Sequence, residues 1–167
     1  DPLTEPGQNG MDRVEFMLSA NPGESLKPLE KVASGGEMSR IMLAFKAIAA
    51  NADSIPTLIF DEIDTGISGH IAAVVGEKMV SIADNHQVLC VTHLPQIAAL
   101  ADVHFMVQKQ DDGQTTRTSL KRLEMEERYE YIARMMSGME DSKLAYEHAR
   151  ELITHSEEIK QKRRKNK

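Results

Sequence analysis

The sequence has one cysteine, Cys90, no tryptophan, and only 4% aromatic residues. A single thiol forms neither an intrachain disulfide framework nor a multi-cysteine metal cluster, and it suits a reducing compartment, so a cytoplasmic location is expected. So few aromatics leave no evident stacking platform for single-stranded nucleic acid. No apolar run approaches the ~20 residues a membrane span needs, and no membrane partner is expected. No Gly-x-x-x-x-Gly-Lys-[Ser/Thr] run occurs, so the loop that cradles nucleotide phosphates, with its lysine and magnesium-binding hydroxyl, is missing. The chain starts at Asp1 and has no basic-then-apolar signal order, and it reads as a piece of something longer.

Apolar residues at 41% and charged residues at 28% exclude wholesale disorder, and 167 residues suit one domain with one core. Net charge is −6, but Lys160 to Lys167 hold six cations and no acid, which leaves −12 on residues 1–159. A basic tail over 158–167 can meet nucleic-acid phosphates, although a solvated, frayed chain end is the simpler expectation.

Residues 1–10, with two prolines and two glycines, read as an irregular leading segment ahead of a domain over 11–157. Val14, Phe16 and Leu18 alternate with Glu15 and Met17, which predicts a half-buried strand over Met11–Ala20, closed by an Asn21-Pro22-Gly23 turn. Ser34 is placed to cap a helix running to about Ala52, with Ile41, Ala44, Phe45 and Ile48 on its buried stripe. Buried strands are expected at Thr57–Phe60 and Gln87–Thr92, with a helix over Ser68–Ala83 between them and a short one over Leu94–Ala101. A third strand starts at Val103. A hairpin joins Val103–Gln110 to Thr115–Leu123 through Asp111-Asp112-Gly113. Helices over Met125–Met136, stopped by Gly138, and Ser142–His155 complete the chain. Alternating strands and helices predict an α/β fold with a mostly parallel sheet, whose ligands collect at the carboxyl ends of the strands.

Three stretches carry chemistry. Ser34-Gly35-Gly36-Glu37 opens a helix, where backbone N–H groups and small residues admit an anion, though the same run also occurs in plain caps. Thr57-Leu-Ile-Phe-Asp61-Glu62 delivers two acids to a strand end. That pair suits a nucleotide hydrolase, with Asp61 holding the water shell of Mg²⁺ and Glu62 orienting and deprotonating the attacking water. His93, closing the next strand, is able to donate to a terminal phosphate, although lone histidines are more often caps.

The order and spacing of these stretches resemble the SMC-like ABC-type ATPase family. Ala33-Ser34-Gly35-Gly36-Glu37 resembles the ABC signature, Thr57–Glu62 its Walker B strand, and His93 its switch histidine. Ile63-Asp64-Thr65-Gly66-Ile67-Ser68-Gly69 departs from transporters and resembles the bacterial DNA-repair branch of the family. So do Asn21-Pro22-Gly23-Glu24, Glu37 to Ala44, Thr92-His93-Leu94-Pro95-Gln96 and Ile132 to Met136, and the likeness covers residues 11–155. It implies a P-loop ATPase head whose Walker A lobe lies elsewhere, and therefore ATP and Mg²⁺ as ligands. It also implies that Ser34, Gly35, Gly36 and Glu37 reach the γ-phosphate on a second copy of the head. Asp64, Thr65, Gly66 and Ser68 are then D-loop candidates, with Asp64 substituting across the dimer for the aspartate that Ser68 replaces. Ala33 stands where most signatures have leucine. Further implied are double-stranded DNA and a RecA-type recombinase as partners, a nucleoid-associated location, and a role in break repair. Competing readings are another chromosome-maintenance head, a non-catalytic interaction module, and a metal hydrolase using Asp61, Glu62 and His93. Arg40, one turn beyond the glycines, is expected to meet either phosphate or solvent.

Overall fold

A computed structural model of the protein describes residues 2–8, 10–12, 14–19, 23–32, 34–49, 55–111, 115–138 and 142–165. The calls on Asn21-Pro22, Ala33, the Ala52 helix end and Asp112-Gly113 lie outside the described residues.

The centre is a strand-helix-strand unit. β5 (Thr57–Phe60) runs parallel to β6 (Gln87–Cys90), in register from Thr57 opposite Gln87 to Phe60 opposite Cys90. Parallel strands need a long crossover, and α3 (Gly69–Ala83) supplies it. Leu58 and Phe60 point into the core while Ile59 between them is 71% exposed, the period-two alternation of a strand with one covered face. That core joins β5 to Leu43 of α2 (Gly35–Ala49), to Ala72, Val75, Met79 and Ile82 of α3, and to Ile97 of α4 (Pro95–Ala98). A second core gathers Ala98 and Ala99 against α5 (Met125–Ser137) and α6 (Lys143–Lys165). The small residues Ala133, Ala145 and Ala149 let this helix pair approach closely, with Ile132 and Ile153 filling between. α5 starts at a Glu124–Glu127 capping box and stops at Gly138, φ 65°, the stop its sequence predicts.

The fold is α/β, and the described strand pairs are short: one is parallel and three are antiparallel. The strand expected to start at Val103 is β7 (Phe105–Asp111), which pairs with β8 (Thr116–Arg122) as the predicted hairpin and with no other described strand. The leading segment is not irregular: β1 (Pro2–Gly7) pairs with β2 (Gly10–Asp12). The strand expected over Met11–Ala20 shrinks to β3 (Met17–Leu18), paired with β4 (Lys27–Pro28) ahead of α1 (Leu29–Val32). Val14 and Phe16 are exposed, and the Phe16 ring meets Phe45 edge-on at 6.2 Å.

Two helical expectations are corrected. On α2 the buried face is Gly36 and Leu43, with Ala47 packed beside them, whereas Phe45 and Ile48 of the predicted stripe are exposed. α2 is apolar on two sides, and periodicity cannot say which side a single chain covers. At the other end, α6 continues through the predicted frayed tail to Lys165. Lys160 is 5% exposed and lies 3.0 Å from both Asp102 and Glu157, while Arg163 pairs with Asp84 at 3.3 Å, so the cations have acidic partners on the body.

Candidate functional site

The carboxyl ends of β5 and β6 lie side by side, and Val91 N–H donates to Phe60 O at 3.0 Å, one residue beyond the strands. This register brings Asp61 and Glu62, leaving β5, beside Thr92 and His93, leaving β6. Asp61 and Glu62 are exposed, and the Glu62 N–H donates to Asp61 Oδ1 at 2.9 Å. Glu62 has φ 57°, the one described non-glycine residue in the left-handed region. An L-residue held there is strained, and such residues gather where the surroundings over-determine them.

The first turn of α2 lies against these acids. A Cβ on Gly35 would sit 2.7 Å from Glu62 Oε2, and one on Gly36 would sit 2.8 Å from Glu62 O and 3.1 Å from Thr65 Cβ. At Gly36, which meets backbone, only a residue without a side chain leaves room for this approach, whereas at Gly35 the Glu62 carboxylate can swing aside. Ser34 caps the helix, as predicted: its hydroxyl accepts from Glu37 N–H at 3.4 Å, and its own N–H donates to Glu37 Oε2 at 2.9 Å. The Ser34 N–H and the Ser34 hydroxyl, which donates to Glu37 Oε2 at 3.1 Å, hold the Glu37 carboxyl below its ordinary value.

Asp64 departs from its expected place. It is 3% exposed, and its Oδ2 accepts from Thr92 Oγ1 at 2.5 Å and from His93 N–H at 2.8 Å, with His93 Nδ1 3.1 Å away. Burial pushes its pKa up, but the Thr92 and His93 bonds outweigh burial and hold it below the ordinary aspartate value. Within this chain the carboxylate fixes the His93 ring, 72% exposed, and leaves Nε2 as the ring atom open to a ligand. Thr65 and Gly66 are exposed in the turn that follows, and Ser68 is the exposed cap of α3. Burial, with Asp64 and Asp61 nearby, pushes the Cys90 thiol up to about 12 and away from the thiolate form.

Sequence reasoning missed Thr92 as a ligand of Asp64, and it missed the role of Arg40. Arg40 Nη1 donates to Ile63 O at 3.1 Å and to Thr65 O at 2.8 Å. The one usable signal was its place in the Gly36-Arg40-Leu43-Ala47 stripe, the face that α2 buries. Among the described residues no three His, Cys, Asp or Glu side chains converge as a metal cage, so Asp61, Glu62 and His93 do not make the three-ligand centre of a metal hydrolase. A single exposed carboxylate such as Asp61 does suit Mg²⁺, which keeps most of its waters and takes one or two carboxylates plus phosphate oxygens.

Comparison with known proteins gives the lineage. DNA repair protein RecN of Halalkalibacterium halodurans is 51% identical over 153 residues, 92% of this chain and 27% of that protein. The chain matches a C-terminal fragment of RecN. The RecN of Deinococcus radiodurans is 50% identical over 151 residues and that of Bacillus subtilis 46% over 154. The chain therefore spans about a quarter of the length of these RecN proteins. No protein-family model matches. A solved structure from work on ATP-driven dimerization and DNA-stimulated activation of SMC ATPases overlaps 69% of this chain and 68% of its own, at 23% identity and a TM-score of 0.49. No helix among the described residues is long and apolar enough to cross a membrane.

Proposed function

We propose that this chain is the signature and Walker B half of a RecN-type ATPase head acting in DNA double-strand break repair, with residues 11–157 as the lobe and α6 extending it. The observation that carries the reading is that Asp61-Glu62 and Thr92-His93 leave adjacent parallel strands at the same end, tied together by Asp64, with Gly35 and Gly36 packed against Glu62. A second lobe supplies the phosphate loop that this sequence lacks and adds the strands that make the sheet mostly parallel. The exposed apolar residues Phe45, Ile48, Ile59 and Val91 provide the surface for it.

In this reading Asp61 holds Mg²⁺ through water, and Glu62 accepts a proton from the attacking water. His93, oriented by Asp64, donates a hydrogen bond to the γ-phosphate. Bound Mg²⁺ neutralises phosphate charge. Ser34, Gly35 and Gly36 offer backbone and hydroxyl donors to the nucleotide of a second head, which requires Glu37 to yield its bonds to Ser34. ATP closes two heads, hydrolysis reopens them, and DNA is the polymer whose capture this cycle governs. In the full-length protein, Glu62→Gln is expected to form ATP-bound dimers and to lower turnover at least a hundredfold, read by gel filtration and phosphate release. Parental turnover in that variant would end the assignment.

A further inference from the structure

After Phe60 the chain leaves the sheet and turns through residues 61–66, where backbone carbonyls lose their ladder partners and must find others. Thr65 N–H takes Glu62 O at 3.0 Å. Three further carbonyls are served from α2: Ser39 Oγ donates to Asp61 O at 3.0 Å, and Arg40 Nη1 bridges Ile63 O at 3.1 Å and Thr65 O at 2.8 Å. These bonds bracket Glu62 on both sides, and Glu62 is the residue held at φ 57°. Arg40 occupies a position on the core-facing stripe of α2, between Gly36 and Leu43, where packing alone calls for an apolar side chain. Its two acceptors account for a cation there, since a planar guanidinium reaches both carbonyls while an ammonium presents a single point of charge.

We propose that Ser39 and Arg40 are positioning residues that clamp the 61–65 backbone, so that the Glu62 carboxylate and the first turn of α2 move as one body. The inference rests on the ATPase reading above and deepens it. An anion gathered at Ser34–Gly36 would then bear on the orientation of Glu62 through Ser39 and Arg40, with no displacement of the sheet.

The test uses the full-length protein, with steady-state and single-turnover ATP hydrolysis. Arg40→Met is expected to lower kcat at least tenfold while KM for ATP stays within twofold, and Arg40→Lys to recover part of that loss. In a Glu62→Gln background Arg40→Met is expected to remove nothing further, because the clamp works through the Glu62 side chain. A kcat within twofold of the parent, or an equal additional loss in the Glu62→Gln background, would overturn the proposal. Should Arg40→Met fail to fold, Ser39→Ala decides: a kcat loss of threefold or more supports the clamp, and an unchanged kcat refutes it. Glu62→Gln alone keeps the two levels apart, since parental hydrolysis by that variant would sink the ATPase reading, and slow hydrolysis with a normal Arg40→Met would sink only the clamp.

Discussion

Asp64 joins the two strand ends through one oxygen, which receives the Thr92 hydroxyl, the His93 N–H and the His93 ring. Its carboxyl lies below the ordinary aspartate value, so the folded state binds that proton more weakly than the unfolded chain does. The stabilisation is therefore complete above the ordinary value of about 3.9, and it is lost as pH falls through the lower folded value. Asp64→Asn is expected to cost about 1–3 kcal/mol at pH 7 and to flatten the loss of stability below about pH 4, measured by urea unfolding across pH. A parallel acid profile in the two proteins would remove Asp64 from this role. Glycines give a second contrast. A methyl at Gly36 meets the backbone oxygen of Glu62 at 2.8 Å, whereas one at Gly76 meets only the terminal methyl of Leu100, which can rotate away. Gly36→Ala is expected to destabilise by about 1–3 kcal/mol and Gly76→Ala by less, in paired thermal melts. The places of Asp61, Glu62 and His93 just beyond strand ends were legible in the sequence because apolar runs stop at them. Asp64 was not, because its role depends on β5 and β6 being neighbours in the right register.

At the scale of elements, α6 shows how charge can mislead. A run of cations at a chain end reads as solvated, yet Lys160 is buried between two acids, one of them 58 positions away in the sequence. Ser156 Oγ and Lys160 Nζ, with Arg128 from α5, also donate to Ala99 O and Ala101 O just beyond α4. α6 is thereby fastened to the segment that follows His93. Deleting residues 158–167 is expected to cost about 1–3 kcal/mol in urea unfolding, where a frayed tail would cost nothing measurable. The β5–α3–β6 unit and the hairpin of β7 and β8 were legible because both rest on local periodicity and turn residues. The exposed stripe of α2 was not, since its Phe45 and Ile48 carry the same pattern as a covered face.

At the scale of the whole molecule, the chain keeps large apolar side chains in water on β3, α2, β5 and β6, including Met17, Met42, Phe45, Ile48, Ile59 and Leu89. Apolar surface on several neighbouring elements marks an interaction site, and relatives nearly four times longer have the chain to fill it. In the proposed reading the absent phosphate loop and the uncovered faces call for the same second lobe. The measurement that tests this most directly is equilibrium binding of Mg-ATP to this chain by itself, then after addition of a separately produced Walker A lobe. The account predicts no saturable binding alone and saturable binding with the lobe. Tight binding by the chain alone would contradict it, because the nucleotide site would then be complete without a second lobe.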